Sequence, residues 1–136
     1  MGLALIYGGR EVAKKILIVD DEPDTRAYLE TLYQENGYET ATAPDGDVAM
    51  EKALEFKPDL ISLDIIMPNE TGQKFYRKLC KTDELKDTPV VFCSGVGQYK
   101  ELFSRDHATM PKPFAFIDKP IDRELLIKTI KEAIGE

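Results

Sequence analysis

The chain has 136 residues, 43% of them hydrophobic and 32% charged, with 18 basic against 25 acidic side chains and a net charge of −7. That length is one domain with enough apolar content to bury a core. The acidic balance argues against nucleic acid held by this chain alone and against a polybasic membrane-surface module, both of which need clustered Lys and Arg; it leaves cation binding open.

Residues 1–9, MGLALIYGG, are apolar but carry no basic flank and are too short for a signal peptide. An extra strand, a partner contact and a poorly ordered tail all fit residues 1–13, and the tail is the reading favoured. Regular patterning begins at Lys14. Ile16-Leu-Ile-Val19 is a short β-branched run, and Asp20-Asp21-Glu22-Pro23 after it is a helix start with Pro at an early position. Ala27, Tyr28, Leu29, Leu32 and Tyr33 recur at helical spacing until Asn36-Gly37 stops them. Tyr38 to Ala43 reads as a second strand, Pro44-Asp45-Gly46 as a turn, and Val48, Ala49, Ala53 and Leu54 mark a second helix.

Leu60-Ile-Ser-Leu63 is a third strand ending at Asp64, and Met67 to Gly72 is a loop. Phe75, Tyr76, Leu79 and Cys80 give a third helix. Val90-Val-Phe-Cys93 is a fourth strand ending in Ser94-Gly95, followed by a fourth helix near residues 98–105. Phe114-Ala-Phe-Ile117 makes a fifth strand ending in Asp118-Lys119-Pro120. Asp122 then N-caps a last helix carrying Leu125, Leu126, Ile130, Ala133 and Ile134. Five alternations of short apolar strand and amphipathic helix imply an α/β fold: a doubly wound, five-stranded parallel sheet with helices on both faces, flavodoxin-like, in strand order 2-1-3-4-5. No repeat or interdomain linker is visible, so residues 14–136 form one domain.

In open α/β sheets the ligand site lies at the carboxyl ends of the strands. Those ends present Asp20 and Asp21, then Asp64, Ser94 and Lys119. Three carboxylates gathered together repel, and must hold protons or bind a cation. Oxygen donors select Mg²⁺, or Mn²⁺, over zinc. With two cysteines, Cys80 and Cys93, and the single histidine His107, neither a zinc site nor a disulfide framework is expected. A divalent ion and an ammonium around one carboxylate suit phosphoryl transfer onto that carboxylate.

Taken together, Lys15-Ile-Leu-Ile-Val-Asp-Asp-Glu-Pro23, Pro58-Asp-Leu-Ile-Ser-Leu-Asp-Ile-Ile-Met-Pro68 with Gly72, Val90-Val-Phe-Cys-Ser94 and Asp118-Lys-Pro120 resemble the receiver domain of two-component response regulators. The resemblance runs from about Lys14 to the C-terminus, in the family's order. It implies that Asp64 accepts a phosphoryl group from a phosphohistidine on a sensor histidine kinase or phosphotransfer protein. Asp21 and Asp64 would ligate Mg²⁺ directly, Asp20 through water, and the backbone carbonyl of Ile66 would complete the set. Ser94 would move to the phosphoryl oxygen, Phe116 would turn inward with it, and Lys119 would bridge the phosphoryl group. The resemblance further implies a cytoplasmic signalling switch rather than an enzyme. It would label itself from donors and hydrolyse slowly, acting on a downstream protein effector without direct nucleic-acid or membrane contact. The output and homodimer surface would be the fourth helix, fifth strand and fifth helix.

Plainer readings exist for each residue. Asp20-Asp21 complements a helix dipole, Asp64 and Ser94 cap strand ends, and Phe116 packs in a core. Cys80 and Cys93 are read as inert packing, and His107 as a solvated loop residue. Lys112-Pro113 duplicates the Lys-Pro pair but lies in a Pro-flanked loop, so Lys119 is chosen. Lys119 follows Ser94 by 25 positions, and the Gly-Ala usual before the fifth strand is absent; these departures affect the output face. Ile66 and Val96, two positions beyond Asp64 and Ser94, are apolar, which predicts a comparatively long-lived acyl phosphate. An excised receiver of a larger DNA-binding or enzymatic regulator, or of a hybrid kinase, would carry the same residues. A Mg²⁺-dependent phosphatase with an aspartyl nucleophile usually wants an acid where Ile66 stands. A flavodoxin-like cofactor binder would share the fold, but no Gly/Ser/Thr-rich phosphate loop follows the first strand.

Overall fold

The computed structural model describes residues 6–7, 10–65, 72–95 and 111–136. The predicted fourth helix, His107, Ile66 and Val96 lie outside them. Near the N-terminus β1 (Ile6–Tyr7) pairs antiparallel with β2 (Arg10–Glu11). The remaining elements are β3 (Lys15–Val19), α1 (Pro23–Glu35), β4 (Glu39–Ala43), α2 (Gly46–Phe56), β5 (Leu60–Leu63), α3 (Gly72–Cys80), β6 (Val90–Ser94), β7 (Ala115–Asp118) and α4 (Arg123–Ile134).

β3 to β7 form one five-stranded parallel sheet in the order β4-β3-β5-β6-β7. This is the expected 2-1-3-4-5 arrangement. Strand composition explains the order. β3, β5 and β6 are mostly apolar and almost wholly buried, as a strand covered on both faces must be. β4, with the sequence ETATA, is half-exposed and takes one edge, where its charge and small polar groups discourage further pairing.

Side chains alternate across the strands and divide the core. Leu17, Val19, Ile61, Leu63 and Phe92 pack with Ala49 and Ala53 of α2 and with Phe75, Tyr76 and Leu79 of α3. Ile16, Ile18, Leu60, Val91, Cys93 and Ile117 pack with Leu29, Leu32 and Tyr33 of α1 and with Leu126 and Ile130 of α4. Ser62 is the polar member of the buried central strands' inner positions. The Tyr33 hydroxyl lies 2.9 Å from its Oγ, and Cys93 Sγ lies 3.7 Å away, so burial leaves no dangling hydroxyl.

Local signals place the helix ends. The Asp122 carboxylate accepts from the Leu125 N–H and caps α4 as expected. Asp45, read as part of a turn, also caps α2 by accepting from the Val48 N–H at 3.0 Å. Asn36 ends α1 and Gly37 follows at a φ of +90°. β7 starts one residue later than predicted: the Phe114 N–H reaches Val90 O, but its ring is 47% exposed and Asp118 closes the strand instead. Cys93 is buried, and burial, only partly offset by Ser62 and Lys119, pushes its thiol up to about 11. Cys80 is half-buried rather than buried, because it ends α3 beside a cavity of about 300 Å³ that Tyr76, Pro111 and Phe114 also line.

Candidate functional site

The chain leaves β3 for the β4 edge and then returns to β5 on the other side of β3. This reversal opens a crevice beyond the carboxyl ends of β3 and β5, where α/β sheets hold their ligands. Asp20 and Asp21 follow β3 and Asp64 follows β5. The Asp64 N–H donates to Val19 O at 2.9 Å and the Asp20 N–H to Ala43 O at 3.1 Å, so the sheet's own ladder carries both acids into the crevice. One carboxylate oxygen from each of Asp20, Asp21 and Asp64 lies within 4.8 Å of the others. Asp20 is 1% exposed and Asp64 7%.

Every hydrogen-bonding arm of Asp20 is engaged. Its Oδ1 accepts from the Glu22 N–H at 2.9 Å, its Oδ2 lies 3.5 Å from Lys119 Nζ, and its backbone carbonyl accepts from Arg26 Nη1 at 2.8 Å. Burial raises the Asp20 carboxyl above its ordinary range. The Glu22 N–H and Lys119 pull it back, and Asp21 adds to the rise. Lys119 follows the end of β7 and also stands 3.7 Å from Asp64 Oδ1. Partial burial depresses its ammonium, but Asp64 and Asp20 outweigh that and raise it.

Ser94 is the last residue of β6 and fully buried, and its backbone carbonyl accepts from the Lys119 N–H at 2.7 Å. Among the described residues its Oγ has no hydrogen-bond partner. A buried hydroxyl without a partner costs free energy, so this group is unusual at the end of a buried strand. Phe116, half-buried, stacks on Phe92 with ring centroids 5.6 Å apart and planes at 18°. Phe92 in turn meets Tyr76 edge-on at 5.5 Å.

The structure therefore brings Asp20, Asp21, Asp64 and Lys119 together, with Ser94 at the adjoining strand end and Phe116 on the neighbouring strand. Lys112 is exposed in the approach to β7. Two further residues belong to this region. Gly72 opens α3 against the Asp64 turn: its N–H donates to Ile65 O, and a Cβ there would fall on the Asp64 carbonyl oxygen. The sequence marks Gly72 only as part of a pattern, because close approach of two backbones leaves no local trace. The sequence pattern does not mark Arg26. Its signal is a cation in the first turn of a helix, where the dipole disfavours one.

As a ligand set the three acids fit a hard divalent cation. All donors are oxygen, they approach from two adjacent strand ends, and their mutual repulsion needs a counter-charge beyond Lys119.

Comparisons with known proteins agree with this architecture. The family model for the response regulator receiver domain matches residues 16–131. The chemotaxis protein CheY of Thermotoga maritima is 36% identical over 122 residues, covering 89% of this chain and 98% of that protein. The structure of the chemotaxis response regulator CheY4 of Vibrio cholerae has 29% identity and a TM-score of 0.79, covering 90% of this chain and 99% of that one. A receiver domain of a Pseudomonas aeruginosa sensor histidine kinase, solved with a magnesium ion coordinated in its active site cleft, shares the fold at a TM-score of 0.80 and 22% identity, covering 92% of this chain and 100% of that one.

Proposed function

The chain belongs to the response regulator receiver domain family of two-component systems, and from that premise we propose that Asp64 is its phosphoacceptor. A phosphohistidine on a sensor kinase or phosphotransfer protein is the donor, and the phosphorylated form changes affinity for a downstream protein. The observation that carries this reading is the meeting of three carboxylates, two of them buried, with Lys119 at 3.5 and 3.7 Å.

An oxygen of the Asp64 carboxylate attacks phosphorus. The P–N bond to the donor imidazole breaks, and its electron pair stays on that nitrogen, which a proton then neutralises. Charge is the obstacle, because an anion attacks a phosphoryl group beside two other acids. Asp20, Asp21 and Asp64 would hold Mg²⁺, with the Ile66 carbonyl as a further ligand, and the bound ion would supply positive charge to the phosphoryl oxygens. Lys119 supplies the second positive charge from the end of β7. Ser94 Oγ, partnerless at rest, gains a phosphoryl oxygen as acceptor, and this difference between the two states lets phosphorylation bias a conformational equilibrium through Ser94 and Phe116. The output and homodimer surface is the predicted fourth helix together with β7 and α4.

Incubation with Mg²⁺ and acetyl phosphate, followed by intact mass, tests the proposal. One phosphoryl adduct is expected on the wild type and none on Asp64→Ala or after chelation. An unlabelled wild type, or an equally labelled Asp64→Ala, overturns it.

A further inference from the structure

We propose that Arg26 is a positioning residue for the divalent-cation site, acting through the Asp20–Asp21 peptide; this rests on the cation site argued above. α1 begins without a side-chain cap: Glu22 occupies the N-cap position and makes no capping hydrogen bond. The turn that carries both acids is instead held from two directions. Glu22 N–H grips Asp20 Oδ1, and the Arg26 guanidinium, one turn into α1, reaches back to the Asp20 carbonyl at 2.8 Å.

That carbonyl belongs to the peptide joining Asp20 to Asp21. Its orientation sets the direction in which the Asp21 Cα–Cβ bond leaves the chain, because a peptide is planar and rotates as a unit. Asp20 is fixed by its own side chain, by Ala43 O and by Lys119. Asp21 is only half-buried and has no such set of contacts among the described residues, so the peptide behind it is what aims it. Arg26 is half-buried, which holds the guanidinium in place. Its planar fork suits a fixed carbonyl better than a lysine ammonium would.

Charge and position make opposite demands here, and that makes the role testable. A guanidinium beside a cation site repels the cation, so removing it on Coulombic grounds alone tightens Mg²⁺ binding. If Arg26 aims Asp21, removing it loosens binding despite the lost repulsion. Groups that orient metal ligands typically change affinity by 10–100-fold when lost.

The experiment is calorimetric titration of the full chain with Mg²⁺ alone, for wild type, Arg26→Met, Arg26→Lys and Arg26→Gln, with urea unfolding of each as a fold control. Arg26→Met is expected to bind Mg²⁺ about tenfold more weakly, with Arg26→Lys and Arg26→Gln, which keep a donor, in between. The Mg²⁺ concentration giving half-maximal acetyl phosphate labelling should rise by the same factor, which a loss of stability alone would not produce. Equal or tighter binding by a folded Arg26→Met overturns the role of Arg26 and leaves the cation site standing. A wild type that binds no Mg²⁺ overturns both.

Discussion

Replacing Asp20 by Asn should stabilise the metal-free protein. Asp20 is 1% exposed and shares its crevice with two other carboxylates, so its charge is held where water cannot relax it. At an effective dielectric of ~20, like charges within 4.8 Å repel by at least roughly 3.5 kcal/mol per pair, and an ammonium at 3.5 Å attracts by roughly 5 kcal/mol. Two repulsive partners against Lys119 leave a deficit of roughly 2 kcal/mol, reduced to about 1–2 because Asp21 is partly solvated. The Asn side-chain oxygen can still accept from the Glu22 N–H, so that contact survives. The variant should gain about 1–2 kcal/mol at pH 7 in EDTA, raising Tm by several degrees.

The pH dependence has a definite sign. The Asp20 carboxyl is raised in the folded state above its ordinary 3.8, chiefly by burial. The native state therefore takes up this proton before the unfolded chain does, and stability rises as pH falls through the folded value. The penalty is fully present above that value and gone below the unfolded one, so the two proteins should converge in acid. Added Mg²⁺ should also narrow the gap, since a cation that binds only the folded wild type adds to its stability. Urea unfolding in EDTA from neutral to acidic pH, with and without Mg²⁺, is the assay. If Asp20→Asn is no more stable than wild type in EDTA at pH 7, the electrostatic account of the crevice is wrong.

Three more outcomes are expected. Gly72→Ala should lose at least ~2 kcal/mol in urea unfolding, because its Cβ meets Asp64 backbone rather than a side chain that can swing away; a change under ~0.5 kcal/mol would refute the close approach. Ser94→Ala should leave metal-free stability unchanged or raise it by about 1 kcal/mol, since it deletes a buried hydroxyl that has no partner; a clear loss would mean that the hydroxyl is satisfied at rest. Ile66→Asn and Val96→Glu should shorten the lifetime of the acyl phosphate, followed by intact mass after donor removal, and unchanged lifetimes for both would count against the apolar-flank argument.

Much of the fold was legible because its signals are short-range. Ile16-Leu-Ile-Val19 and Leu60 to Leu63 announce strands buried on both faces, and Asp122 and Asn36-Gly37 announce helix ends. Element limits slipped where a residue has two local uses. Asp45 suits a turn and an N-cap equally, and Phe114 has strand composition but lies just outside the ladder.

By itself the sequence determined which residues end each strand, and hence which chemistry is available: acids, one hydroxyl and one lysine, with no thiol or imidazole cluster. It could not measure the distances among them. Asp64 stands beside Asp20 because β5 pairs with β3, and Lys119 arrives through β7, 99 positions from Asp20 along the chain. Those adjacencies follow from how the helices cover the two faces of the sheet, a property of the whole core. The same is true of Gly72 against the Asp64 turn, of Ser94 Oγ without a partner and of Arg26 on the Asp20 carbonyl. Each depends on how a backbone group or a hydroxyl is packed, not on residue type alone. Periodicity and composition encode which face a side chain occupies; only packing decides what waits for it there.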